Sequence, residues 1–267
     1  MSGLKKTVIV VLLVASMCTL LLPTFTAHAH AAASGYVHTT YFLANPVTMD
    51  GKWTANDEWA DTEIVNFGSQ TCILRSKWSA ASDFSTIYQY ILVEVLNDNT
   101  NDANDLLQFC FDGDASGGST PQSGDIRIDI TGHKNVTAYN GNGAGWTQVA
   151  TPSQFTWANS TNSSPTSSTS HWIYEIYITD KPSFGISAVY WMRIAVYDAS
   201  NAAAGTRAWP PTSRDVPSDW GDIEYDMNPI PEGIGLGVMV LLSSVAVVAG
   251  SFYFRKQRVG KLAKSPV

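Results

Sequence analysis

Several things are scarce in this chain of 267 residues. Between residues 34 and 228 no window shows the 3.6-residue hydrophobic period of an amphipathic helix, which excludes a helical bundle and leaves strands. Bases are few between Ser34 and Glu232. Of 16 Lys and Arg, seven lie at the ends (Lys5, Lys6, Arg255, Lys256, Arg258, Lys261, Lys264), leaving nine against 23 Asp and Glu, a net charge of −14. A surface of that sign repels phosphate backbones, so nucleic acid is excluded as a partner, while cations and neutral polymers suit it. The familiar catalytic motifs are missing: no Gly-x-Ser-x-Gly elbow, no His-Glu-x-x-His helix and no phosphate loop. His38, His133 and His171 stand singly. A glycosidase needs two carboxylates set across a cleft, and so many acids nominate no particular pair. The expectation is a protein that is not an enzyme.

Cysteine is also rare, with three residues. Cys18 falls in an N-terminal apolar run, and Met17 before it is not the small residue of a lipoprotein signal. Cys72 and Cys110 remain, and an oxidising compartment would permit a bridge between them. In strand phase Cys110 lies opposite Phe109 and Phe111, whereas Cys72 shares the phase of Leu74 and Trp78. A disulfide and two buried free thiols both stay open.

What is present at the ends assigns a location. Lys5 and Lys6 precede an apolar run from Thr7 to Leu22, and Ala27-His28-Ala29 has the small residues of a signal-peptidase site. Residues 1–29 are therefore expected to be a signal peptide, with 30–47 a lead-in. Residues 227–232 (with Asn228-Pro229-Ile230-Pro231) read as a stiff spacer. Gly233 to Phe254 is uncharged and apolar, long enough at about 1.5 Å per residue to cross a hydrocarbon core of about 30 Å. The basic tail 255–267 places the C-terminus in the cytoplasm and the body outside, a single-pass plasma-membrane protein. Pro231-Glu232-Gly233 with the span and tail is also similar to C-terminal sorting signals, with a plain anchor as the main reading.

The body, 48–226, is organised around Leu106 to Asp114, a strand with Leu107, Phe109 and Phe111 on one side that ends in Asp112-Gly113-Asp114. Val37 to Ala44, Thr71 to Trp78, Thr86 to Val95, Asp125 to Thr131, short pieces within Asn135 to Val149, Trp172 to Ile178, Val189 to Val196 and Trp220 to Tyr225 read as further strands. Thr151 to Ser170, rich in Ser, Thr, Asn and Pro, reads as an exposed loop, as does Ala199 to Asp219. The fold class is all-β: a two-sheet antiparallel β-sandwich, jelly-roll-like, of about nine short strands, plus one C-terminal transmembrane helix.

Three kinds of site follow from residue type. Calcium takes six to eight oxygens from flexible loops, and Asp98, Asp102 and Asp105 among asparagines, with Asp112, Asp114 and Asp125 beside the next turn, are its candidate ligands. Exposed aromatics mark recognition; Trp53, Trp59, Trp78, Trp172 and Trp191 sit in strand-like contexts and belong to the core, while Trp146, Trp157, Trp209 and Trp220 lie in or near loops. Asn135, Asn159 and Asn162 head glycosylation sequons.

The order of Asp50-Gly51, Glu58-Trp59, Lys77-Trp78, Asp98, Asp105 to Asp114, Asp125-Ile126-Arg127-Ile128, Trp172 to Ile178 with Glu175, and Trp220-Gly221-Asp222-Ile223 resembles the family 9 carbohydrate-binding modules and their DOMON-like relatives. That resemblance implies a β-sandwich, usually with calcium, and in its sugar-binding members two tryptophans that clamp a terminal sugar. Here the clamp positions carry Asp102-Ala103-Asn104 and Ser213. The expected sugar contacts are thus Trp209, Trp220 and Trp146, with Arg214 of the Arg214-Asp215 run, and the expected partner is a glycan or polysaccharide. The competing reading is an adhesion or envelope-structural ectodomain without sugar binding. A remote one is haem held by Met192 and His171.

Overall fold

The computed structural model describes residues 34–82, 85–179 and 189–226. In chain order the strands are β1 (Val37–Phe42), β2 (Val65–Phe67), β3 (Cys72–Ala80), β4 (Ile87–Val95), β5 (Leu106–Asp112), β6 (Asp125–Thr131), β7 (Asn135–Gly141), β8 (Trp146–Val149), β9 (Phe155–Asn162), β10 (His171–Thr179), β11 (Val189–Tyr197), β12 (Arg207–Trp209) and β13 (Gly221–Tyr225). Among the described residues the only helices are two short 3₁₀ segments, Ala199–Ala204 and Pro217–Asp219. The expected signal peptide and membrane span lie outside the described residues, and within those residues no helix is long and apolar enough to cross a membrane.

A first sheet runs β8-β7-β6-β5-β11-β13-β1, with β12 beside β11; a second runs β1-β3-β4-β10-β9, with β2 on β3. Alternation builds the core. Across β6, β5 and β11 the register aligns Ile130 with Leu107 and Val196, Ile128 with Phe109 and Ile194, and Ile126 with Phe111 and Met192. The second sheet answers with Cys72, Val95 and Trp172 in one row and Leu74, Val93 and Tyr174 in the next. These inner faces close on one hydrophobic cluster, each large side chain contributing roughly 1.5–3 kcal/mol by leaving water.

Three expectations need correction. The pairing is not antiparallel throughout: β1 lies parallel to β13 through Val37–Thr40 and parallel to β3 through Tyr41 and Phe42, so it belongs to both sheets. A parallel neighbour requires a long crossover, and residues 43–64 supply it, passing over the outer face of the second sheet. There Trp53 and Trp59 cover Leu92 and Ile173. The Glu175 carboxylate anchors this cover, accepting from the N–H groups of Asp50 at 2.9 Å and Gly51 at 2.8 Å and from Trp59 Nε1 at 3.1 Å. Gly51, at φ 76°, lies so close to the Asn159 backbone that a Cβ would fall within 2.4 Å of it, which only glycine permits.

The supposed loop 151–170 contains β9, paired with β10 over eight positions from Phe155 to Asn162. It is an edge strand. Phe155 and Trp157 pack on the core, and apart from Ala158 its other residues are hydroxyls and amides, the polar composition that keeps an exposed edge from pairing with other chains. Finally, 199–219 is not all loop, since β12 pairs with Val196, Ala195 and Ile194 of β11. The described residues form thirteen strands, not about nine.

Candidate functional site

The six aspartates expected to bind calcium do not converge. Asp98, Asp105 and His133 are the one group among the described residues whose ligand atoms lie within 4.8 Å of one another, and all three are buried. Asp105 accepts from Ala199 N at 2.7 Å and Asp102 N at 3.0 Å and faces His133 Nε2 at 2.7 Å. Asp98 Oδ1 takes both the N–H and the hydroxyl of Thr100 at 3.0 Å, and Asp102 Oδ2 takes that hydroxyl at 2.7 Å. Burial raises the Asp98 pKa. At the next turn Asp112 caps Ser116 N and Gly117 N, Asp114 also takes Ser116 N, and Asp125 takes Gln122 N. Two carboxylates and one imidazole nitrogen do not make the cage of six to eight oxygens that calcium requires. The acids hold their own loops by hydrogen bonds.

The aromatic candidates are placed differently from expectation. Trp209 is 3% exposed and Trp220 0%. Trp209 stands on β12 opposite Ile194 in the main core, with its ring against Gly221, where a Cβ would meet it at 2.6 Å. Trp220 packs with Cys110, Ala115 and Trp191. Neither offers a free face. Trp146 is half-buried and stacks parallel on Trp220, ring centres 6.4 Å apart. Arg214 points to solvent with its side chain 75% exposed and is held by Asp219 at 2.7 Å. The haem pair is not assembled: Met192 lies in the core, while His171 is buried on the other face of its own sheet against Glu94 at 3.1 Å. Cys72 and Cys110 are free and buried, in separate clusters, as their strand phases suggested. Asn135 is exposed at the start of β7, Asn162 half-exposed at the end of β9, and Asn159 donates its amide to His133 O at 3.0 Å.

What does assemble is the outer face of the first sheet. Gln148 of β8, Tyr139 of β7, Arg127 of β6, Cys110 of β5 and Arg193 of β11 form one cross-strand row. The Arg127 guanidinium lies 4.9 Å from the centre of the Tyr139 ring. It donates from Nε to Asp129 Oδ1 at 2.9 Å, from Nη2 to Asp129 Oδ2 at 2.5 Å, and from Nη1 to Asp215 Oδ2 at 2.8 Å. Burial works against its charge, but Asp129 and Asp215 raise its pKa above the ordinary arginine value. Behind this array Arg193 holds Gln108 and donates to Ser213 O at 3.0 Å. Cys110 Sγ lies 3.3 Å from Asp215 Oδ1, and burial, with Asp215 beside it, pushes its thiol pKa well up. Sequence reading passed over Arg127 and Asp129 as the polar side of a half-buried strand; the available signal was an Arg-x-Asp pair beside a tyrosine-bearing strand. It also chose Arg214 where the neighbouring Asp215 reaches the sheet.

No protein-family model matches the sequence, and no curated protein matches it. In structure the chain is similar to a family 9 carbohydrate-binding module from Caldicellulosiruptor kristjanssonii in complex with cellotriose. The TM-score is 0.46 at 15% identity, covering 73% of this chain and 97% of that one. A second similar structure is a family 9 module from the same organism in complex with glucose, with TM-score 0.43 and 14% identity over 70% of this chain and 95% of that one.

Proposed function

We propose that this chain is a membrane-anchored cell-surface protein that binds a neutral glycan, without catalysing a reaction, on the outer face of its first sheet. The observation that carries the reading is the array of Tyr139, Arg127, Asp129 and Asp215. A half-buried ring stands next to a guanidinium that two carboxylates hold in place. Sugar C–H groups pack on a ring face, and sugar hydroxyls, which both donate and accept, need both kinds of partner at fixed positions. Since Arg127 faces two acids, the array has no positive excess to draw an anionic polymer. Trp146 adds a second ring at the β8 end of the same face.

Affinity electrophoresis through neutral polysaccharides tests this. Retention is expected, and Tyr139→Ala should weaken it at least tenfold, about 1.4 kcal/mol, with a nearly unchanged melting midpoint. Equal mobility in every neutral polysaccharide would sink the reading and favour the adhesion alternative. The location rests on the apolar run 233–254 and the basic tail after it. Protease added to intact cells should remove the β-sandwich and leave a small C-terminal fragment; complete protection would refute the outward topology.

A further inference from the structure

A cleft of about 570 Å³ opens between the β2–β3 turn and the segment that runs from the first 3₁₀ helix through β12. Its size falls within the range of roughly 300–1,000 Å³ typical of small-molecule sites. No residue of the Tyr139–Arg127 array lines it. Its polar lining comprises amides and hydroxyls, among them Asn66, Gln70, Thr71, Asn201, Thr206 and Thr212, with one charged residue, Arg207. Arg207 is 5% exposed. Its stem packs on Gly68, where φ is 59° and a Cβ would stand 2.7 Å from it. Nη1 donates to Thr71 Oγ1 at 3.0 Å and Nη2 reaches Asp198 Oδ2 at 3.4 Å. The buried Nε has no partner among the described residues. An unpaired buried donor is uncommon in a folded protein, and it belongs to the charged residue that lines this cleft.

We propose that this cleft is a second saccharide site, taking a neutral mono- or disaccharide whose oxygens accept from Arg207 and whose hydroxyls pair with the surrounding amides and hydroxyls. The lining decides the ligand class. Amides and hydroxyls both donate and accept, as sugar hydroxyls do, whereas phosphate or carboxylate would use donors alone. Asp198 answers the charge of Arg207, so the site has no positive excess for an anion. Among the described residues no carboxylate lines the cleft to hold a cation, and the one aromatic ring, Phe67, is 3% exposed and offers no stacking face. The proposal stands on the cleft's own chemistry and does not need the outer face to bind.

Hydrogen-exchange mass spectrometry on the full chain tests it, with glucose, cellobiose, maltose and lactose as neutral probes and glucuronate and phosphate as anionic ones. At millimolar concentration at least one neutral sugar should slow exchange severalfold in segments 66–71 and 201–212. Ala204→Trp, which fills the cleft from an exposed position in its wall, should remove that protection, and Arg207→Gln should raise the apparent Kd at least tenfold. Should Arg207→Gln fail to fold, Ala204→Trp still decides. The proposal is overturned if no neutral sugar protects these segments, if Ala204→Trp melts normally and keeps the protection, or if glucuronate or phosphate protects more strongly than every neutral sugar. Protection confined to segment 137–148 would remove the cleft and leave the outer-face reading standing. Protection confined to the cleft, without polysaccharide retention, would do the reverse.

Discussion

Removing the Trp209 ring would leave a void that Gly221, which lies against the ring and has no side chain, cannot fill. Trp209→Ala should therefore cost roughly 3–5 kcal/mol, the usual range for a large aromatic cut from a core. For a domain of this size that lowers the melting midpoint by about 10 °C. A midpoint within about 2 °C of the parent would mean that the ring is not a core member and would restore it as a candidate for recognition. The two prolines after Trp209 made it look like a loop aromatic, and nothing local shows that three residues of this segment join β11 as a strand. The neighbouring choice between Arg214 and Asp215 failed for a similar reason. Which of two adjacent side chains faces a sheet is set by how the loop crosses it, and that is a tertiary fact. By contrast, the burial of Trp53, Trp59, Trp78, Trp172 and Trp191 was legible, because each sits in an alternating or strand-flanking pattern.

Strands buried on their inner face were readable wherever the alternation was clean. Ile126, Ile128 and Ile130 against Asp125, Arg127 and Asp129 give β6 at its observed bounds, Asp125–Thr131, and Leu107, Phe109 and Phe111 give β5. The alternation also contained the candidate face, since the residues opposite those apolar ones are Gln108, Cys110, Arg127 and Asp129. What the sequence could not show was that Tyr139 and Asp215 meet Arg127 there, because those contacts cross from β7 and from a loop 88 residues away. β9 escaped notice because an edge strand takes its order from backbone pairing with β10 and carries few apolar side chains. The parallel placement of β1 had no local signal at all, as strand direction depends on where the crossover 43–64 is laid. The acidic stretch 98–105 reads from sequence as a polar loop offering oxygen ligands, and its composition does not show which partners those carboxylates find. Its carboxylates find backbone N–H groups and His133 instead.

Across the whole molecule the excess of acid has a consequence that pH should expose. Burial raises the pKa of Asp125 to about 7 and of Glu175 to about 7, and it moves Asp112 in the same direction. An acid whose folded pKa is raised binds its proton more readily in the folded chain than in the unfolded one, where carboxylates titrate near about 4. Between about pH 4 and 7 stability must therefore fall as pH rises. His171 acts in the same sense: burial opposes its charge, but Glu94 raises its pKa, so the stability it contributes is lost as pH climbs through that raised value. Four acids act oppositely. Glu94 is held low against burial by His171, Ser164 and Thr166, Glu63 by His38, Asp219 by Arg214, and Asp114 by Asp112 and Ser116. Their contribution is present above about pH 4 and disappears below it. The two groups together place the stability maximum in mildly acid solution, near pH 5. Thermal melts from pH 3.5 to 8.5 should rise to that maximum and then decline towards the alkaline end. Asp125→Asn, which keeps an acceptor for Gln122 N while removing the buried charge, should raise the midpoint at pH 8 and leave it nearly unchanged at pH 4.5. A midpoint that climbs steadily from pH 5 to 8, in the parent or in Asp125→Asn, would show that these carboxylates are solvated in the folded protein and that the electrostatic account is wrong.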